Sequence, residues 1–238
     1  LEFRRVLFRS CADRGDRGPY PGAHFEFLAA NVNEQATGKT LFPPYSIRTF
    51  DGVKVAFVGL VLKNTPLIVR PNGTRGLTFE DEVETVNKLL PALRSQGVAS
   101  VVVIMHEGIG VRPGGLSDCN LPDVGARDQM SQLALKGKTV ADGFDPMVQL
   151  VISGHTHRYY VCHSNERLIT SAGSNGIVIT EIDATFDRAS GRMVASKAVN
   201  HRVDPAGPKD PVVSPLLNAY VAMAEPLENR TVAKLAAE

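Results

Sequence analysis

Three histidines carry the most pointed chemistry in this sequence. His155 and His157 stand two apart in Ser153-Gly154-His155-Thr156-His157, directly after the apolar run Leu150, Val151, Ile152. Imidazole is the commonest protein ligand for zinc-like metals. Residues two apart in extended chain point the same way, so both rings are expected to converge on one point. A lone His-x-His also occurs in ordinary surface loops, so the pair needs a partner. His106 supplies it, because the β-branched run over 98–105 ends at His106-Glu107-Gly108. In open α/β sheets, sites gather outside the carboxyl ends of the strands. Two buried-looking strands that each end in histidine therefore point to a metal centre made of His106, His155 and His157. Glu107 and Arg158 adjoin these residues and are candidates to orient the ligands, with solvent exposure as the equal alternative. Asn175, in Gly173-Ser174-Asn175-Gly176, is a further candidate, against plain turn chemistry. His24, His163 and His201 read as surface residues, and Asn31 as a residue bonding backbone after a strand.

The elements that must position these residues can be read from periodicity and turn chemistry. A strand is expected over 25–32, then a polar loop over 33–44. Asp51-Gly52 between the runs Tyr45–Phe50 and Val53–Val61 is the strongest short hairpin signal. A Pro/Gly/Asn-rich connection follows over 63–76. Thr78, with Asp81 three residues on, predicts a helix cap. Val83, Val86, Leu89, Leu90 and Leu93 share one helical face, Pro91 should kink the helix, and Gly97 should end it. The strand to His106 completes a βαβ unit. The long stretch over 108–143 reads as a functional loop with a short helical piece at 129–135. Strand-like runs at 159–162, 167–171, 177–186 and 193–203 are expected to add antiparallel to the sheet, making it mixed. A linker is expected over 205–211, and a helix over 212–230 despite Pro215 and Pro226.

Composition sets outer bounds. The chain has 238 residues, 43% apolar and 21% charged, with a net charge of +1. This is ordinary globular composition. No basic stripe argues for binding a nucleic-acid backbone, and no run of about 18 apolar residues argues for a membrane span. Residues 1–22 differ from the rest, with five arginines in the first 17 positions and no secretory apolar core. They read as a non-native leader, the bland alternative being a basic arm.

Ala30-Asn31-Val32, Val58-Gly59-Leu60, His106-Glu107-Gly108, Ser153 to His157 and Ser171 to Gly176 occur in that order. Over about residues 25–205 the sequence resembles the calcineurin-like metallophosphoesterases, in the branch of 5′-nucleotidases and 2′,3′-cyclic-nucleotide phosphodiesterases. The resemblance implies part of a four-layer α/β sandwich with mixed sheets. It implies two divalent ions, zinc, manganese or similar, with His106 and His155 on one and His157 on the other. It also implies hydrolysis of a nucleotide or another small phosphate ester by metal-activated water, and a periplasmic or secreted place. The family's Asp-x-His, Gly-Asp and Gly-Asn-His-Asp/Glu elements, which bring the bridging Asp and the catalytic His, do not occur in this chain. The expectation is therefore the second half of a catalytic domain over 23–205, cut at both ends. Residues 206–238 would then be a linker and helix leading to an absent nucleotidase domain. Without the bridging carboxylate the chain is expected to bind metal weakly and to turn over little.

Cys119 follows the His106 strand and Cys162 follows the His157 turn, so both leave the same sheet edge. A bridge between them is one expectation, and it agrees with the oxidising compartments of the resembled family. Two free thiols are the other. Different functional classes also remain open on the residues alone. A mononuclear three-histidine zinc enzyme uses the same ligands. A metallo-β-lactamase-like hydrolase would want Asp just past the pair, where Tyr159 stands. The third alternative is a metal-binding module without turnover.

Overall fold

The computed structural model describes residues 25–121, 140–164 and 166–233. The 1–22 leader, His24 and the helical piece expected at 129–135 lie outside the described residues. The chain divides into two units, with the boundary between Val203 and Asp204.

The first unit is built on a six-stranded mixed sheet in the order β2-β3-β5-β6-β8-β7. β2 (Tyr45–Phe50) and β3 (Val53–Val61) form the expected hairpin. Asp51 and Gly52 have φ of 48° and 88°, the positive pair that a tight hairpin turn of this kind demands. β3, β5 (Ser100–His106), β6 (Val148–Ser153) and β8 (Arg167–Ala172) run parallel to one another. β7 (Tyr159–Ser164) closes the edge antiparallel to β8.

Helix α2 (Glu82–Ser95) joins β3 to β5, after a short turn of helix α1 (Thr65–Ile68) in the preceding connection. Its cap is Asp81, whose carboxylate accepts the N–H groups of Val83 and Glu84, both at 3.1 Å. Thr78, the expected cap, lies instead in β4 (Leu77–Phe79), which pairs with β1 (Val32–Glu34). The alternation of Leu77 and Phe79 toward a small core with Ala29, Val32 and Leu41 outweighs the capping signal. The helix runs through Pro91 without a break and ends where the Gly97 and Val98 N–H groups return to Arg94 and Leu93.

The two sides of the sheet alternate as period two requires. Ala56, Val58, Val101, Val103, Val151, Tyr160, Cys162 and Ile169 pack with Val86, Leu90 and Leu93 of α2. Val55, Val102, Leu150 and Leu168 face the other way, toward Met193, Ile182, Phe186 and Ala198. Those last residues belong to β9 (Val178–Phe186) and β10 (Met193–Arg202), which form a separate antiparallel pair. Two expectations are corrected here. β8 enters the main sheet parallel to β6, because β7 first reverses the chain. β9 and β10 do not extend that sheet, because their apolar positions are used to cover its face. The strand expected over 25–32 is also corrected, since only Val32–Glu34 is strand. Before it the chain is tied at single points, Ala29 N–H to Pro43 and Ala30 N–H to Gly59, rather than along a ladder.

The second unit holds α3 (Val213–Glu228). Pro215 sits in its first turn, where an N–H has no intrahelical acceptor.

Candidate metal centre

The parallel order β3-β5-β6 brings the carboxyl ends of β5 and β6 to one edge, with Met105 opposite Ser153. His106 closes β5 on the side of Val102 and Ile104. His155 follows β6 after Ser153 and Gly154. The two rings lie 5.2 Å apart between centroids and 68° from coplanar. Burial pushes His106 below the ordinary imidazole value, and His155 and His157 act in the same direction. The neutral ring that results is the ligating form.

Close contact of the two turns depends on glycine. A β-carbon at Gly108 would stand 2.1 Å from the Gly154 carbonyl oxygen and 2.7 Å from Thr156 Oγ1. Gly154 N–H bonds the Glu107 carbonyl oxygen at 3.3 Å. Behind them Tyr160 is fully buried, and its hydroxyl accepts the Ile109 N–H at 2.9 Å and lies 2.6 Å from Ser153 Oγ. Thr156 Oγ1 donates to the Ile109 carbonyl at 3.1 Å.

His157 does not join the other two as extended-chain reasoning requires. His155 and His157 have φ of 69° and 55°, both left-handed, so residues two apart no longer point the same way. Among the described residues, no three His, Cys, Asp or Glu side chains gather around one point. What the chain presents is a pair, His106 and His155, with the exposed His157 near enough to help lower His106. The donor set fits half of a metal centre, since two imidazoles are close together but no carboxylate completes them among the described residues.

Glu107 is 2% exposed, which removes the solvent-exposed alternative for it. Its carboxylate is close enough to Tyr160 to act on the phenol. Arg158 is exposed and uses its carbonyl to accept the Gly173 N–H at 3.2 Å. Asn175, with φ of 62°, is exposed in the turn between β8 and β9, and its amide reaches Ser174 Oγ at 3.4 Å, so turn chemistry accounts for it. Asn31 is fully buried and holds the Val61 carbonyl, the Val61 N–H and the Glu80 carbonyl, fixing the end of β3 to the start of α2. His163 is exposed, and His201 pairs with Glu181 at 2.8 Å on the surface.

Cys119 and Cys162 are joined by a disulfide, with Cα atoms 5.1 Å apart. The bridge ties the loop after His106 to β7. Asn200 of β10 holds the same loop, donating to the Leu116 carbonyl at 2.7 Å and the Ser171 carbonyl at 3.0 Å. Sequence reasoning missed two anchors. One is Tyr160. The other is Arg167, buried on β8, which gives its guanidinium to the carbonyls of Val148, Ala141, Phe144 and Asp145. Nothing in a lone Tyr or Arg within a strand-like run marks such roles.

No family model matches the sequence. The chain is 26% identical over its full length to the Bacillus subtilis protein named endonuclease YhcR, covering 18% of that protein. It is 32% identical over 74% of its length to the Listeria monocytogenes cell wall protein Lmo0130, covering 22% of it. The chain thus spans about a fifth of the length of these curated relatives. Among solved structures, the 5′-nucleotidase precursor of Thermus thermophilus matches with a TM-score of 0.62 at 25% identity, over 90% of this chain and 41% of that one. Further neighbours include 5′-nucleotidases, 2′,3′-cyclic-nucleotide phosphodiesterases and a calcineurin-like phosphoesterase.

Proposed function

We propose, from this kinship with calcineurin-like metallophosphoesterases of the nucleotidase branch, that the chain carries one half of a dinuclear centre that hydrolyses nucleotide phosphate esters. The observation that supports it best is the His106–His155 pair, delivered by two adjacent parallel strands with rings 5.2 Å apart. His106 and His155 would hold one divalent ion, zinc, manganese or similar, and His157 would serve a second. Such ions supply charge that stabilises an in-line displacement at phosphorus and lowers the pKa of water. The chain's own contribution is to present two imidazoles, one at the end of β5 and one in the turn after β6, with Glu107 buried next to His106 in the chain. Arg158 is exposed beside His157 and suits a phosphate-facing cation.

The reading includes low turnover by the 238-residue chain itself, since no carboxylate of the described residues bridges the site. It also places the protein in an oxidising compartment, periplasmic or secreted. The disulfide and the cell wall name of one relative support that, and among the described residues no helix is long and apolar enough to cross a membrane. Residues 23–205 act as the catalytic half-domain, and 206–238 as linker and helix.

Manganese binding to the purified chain, followed by electron paramagnetic resonance, tests this. Binding should be weak and should disappear in His106→Ala and His155→Ala. Binding that ignores both substitutions would sink the metal reading. Phosphate release from AMP, 2′,3′-cyclic AMP and a polynucleotide should stay near background. Robust metal-dependent release would overturn the half-centre.

A further inference from the structure

We propose that Tyr160 is the positioning residue of this centre. With Thr156 it locks the segment behind His106 to the turn that carries His155, while the Cys119–Cys162 bridge governs only the far end of the loop. The inference rests on the metal-holding role proposed above for His106 and His155.

The argument is one of hydrogen-bond direction. Ser153 Oγ donates its single hydrogen to the Thr170 carbonyl at 2.7 Å. In the 2.6 Å contact between Ser153 Oγ and the Tyr160 hydroxyl, Tyr160 must therefore be the donor. The phenol oxygen then accepts the Ile109 N–H at 2.9 Å. The relay runs one way, from Ile109 through Tyr160 and Ser153 to Thr170 on β8. Thr156 completes the hold by donating to the Ile109 carbonyl at 3.1 Å. Both backbone groups of Ile109, three residues beyond His106, are thus held by residues flanking His155. Ile109 and Tyr160 are both fully buried, so water does not compete for the bond between them. Burial also pushes the phenol up, which keeps it a donor at neutral pH.

Cys162 lies two residues along β7 from Tyr160, on the same buried side. The two side chains grip the loop at different points. Tyr160 takes it at Ile109, three residues past His106. Cys162 takes it at Cys119, beyond a loop that closes on itself through the Arg112 N–H to the Asn120 carbonyl at 2.8 Å. Metal affinity should follow the first grip and ignore the second.

The test is cobalt(II) titration of the chain, read in the visible absorption of the ion. A parallel readout on metal-free protein is the nuclear Overhauser contact between the His106 and His155 rings. Tyr160→Phe should weaken cobalt binding about tenfold or more, the size seen when groups that orient a ligand are lost. It should also remove the ring contact. Thr156→Val, at a half-buried site, should move both readouts in the same direction. The double variant Cys119→Ser with Cys162→Ser should lower Tm yet keep cobalt affinity within about twofold, because the disulfide acts on the unfolded chain. Leu93→Ala, a core cavity on α2, controls for lost stability alone and should leave affinity unchanged. Wild-type affinity and an intact ring contact in both Tyr160→Phe and Thr156→Val would overturn the inference. So would an equal loss in the disulfide-free variant. A wild-type chain that binds no cobalt would remove the metal reading. Persistence of the ring contact in Tyr160→Phe would still overturn the positioning role on its own.

Discussion

Gly108 shows how much of the site rests on a missing side chain. The two histidine turns meet backbone to backbone there, and a methyl group would press on the Gly154 carbonyl and Thr156 hydroxyl. Neither neighbour is the free end of a flexible side chain, so the turns themselves must move. Gly108→Ala is expected to cost about 2 kcal/mol, in the range of overpacked sites. It should also widen the His106–His155 spacing. Urea unfolding measures the first effect, and the ring-to-ring Overhauser contact measures the second. An alanine variant with wild-type stability and contact would refute the close packing of the two turns at Gly108. The same scale explains what the sequence concealed. The pairing of His106 with His155 follows from two apolar runs that each end in histidine. The left-handed backbone of His155 and His157 does not, because only a few per cent of non-glycine residues go there, and histidine's modest enrichment does not mark out two of them in one turn. Tyr160 was equally hidden, since a buried phenol bonded to backbone has the same place in an apolar alternation as any core aromatic.

At the scale of elements, the competition between Thr78 and Asp81 is instructive. Both are good caps, but Thr78 is held in β4 by pairing with Asn33, so the helix starts later. Burial tends to raise the Asp81 carboxyl. The Glu84 N–H, the Lys63 ammonium and the Val83 N–H outweigh it, and the net effect is a lowered pKa. A carboxyl lowered on folding adds stability above its unfolded value, near 3.9, which is lost as pH falls through the folded value. Asp81→Ala should cost about 1 kcal/mol at neutral pH, as lost caps do. Asp81→Asn keeps a cap but loses the charge, so it should flatten the fall in stability below about pH 4. Urea midpoints from pH 2.5 to 7 decide this, and an unchanged acid limb in Asp81→Asn would refute it. Elements set by local chemistry were legible in this way: the Asp51-Gly52 hairpin, the apolar face of α2, and its stop before Gly97. The place of β9 and β10 was not, because alternation gives a strand its apolar side without saying whether it extends a sheet or covers one.

At the scale of the whole molecule, one covalent bond links parts that topology leaves separate. The first unit has a central sheet whose strand ends carry the histidines, and a long excursion after β5 that must return to β6. The Cys119–Cys162 bridge spans 43 residues of sequence and fastens that excursion to the edge strand β7. On the chain-entropy account, closing a loop of that length in the unfolded chain stabilises the fold by about 4 kcal/mol. For a domain of this size, each kcal/mol moves Tm by about 2–4 °C. Reduction with a dithiol should therefore lower Tm by about 10 °C. Cys162 is 2% exposed whereas Cys119 is exposed, so a reductant should meet the bridge from the Cys119 side. The first unit should remain folded after reduction, because Asn200 still holds Leu116 and Ser171, and Tyr160 still holds Ile109. Calorimetry with and without the dithiol tests the magnitude, and near-ultraviolet circular dichroism of the reduced chain tests whether the buried tyrosine keeps its environment. Loss of the tyrosine signal on reduction, at temperatures well below the new midpoint, would mean that the bridge holds the core and not only the loop.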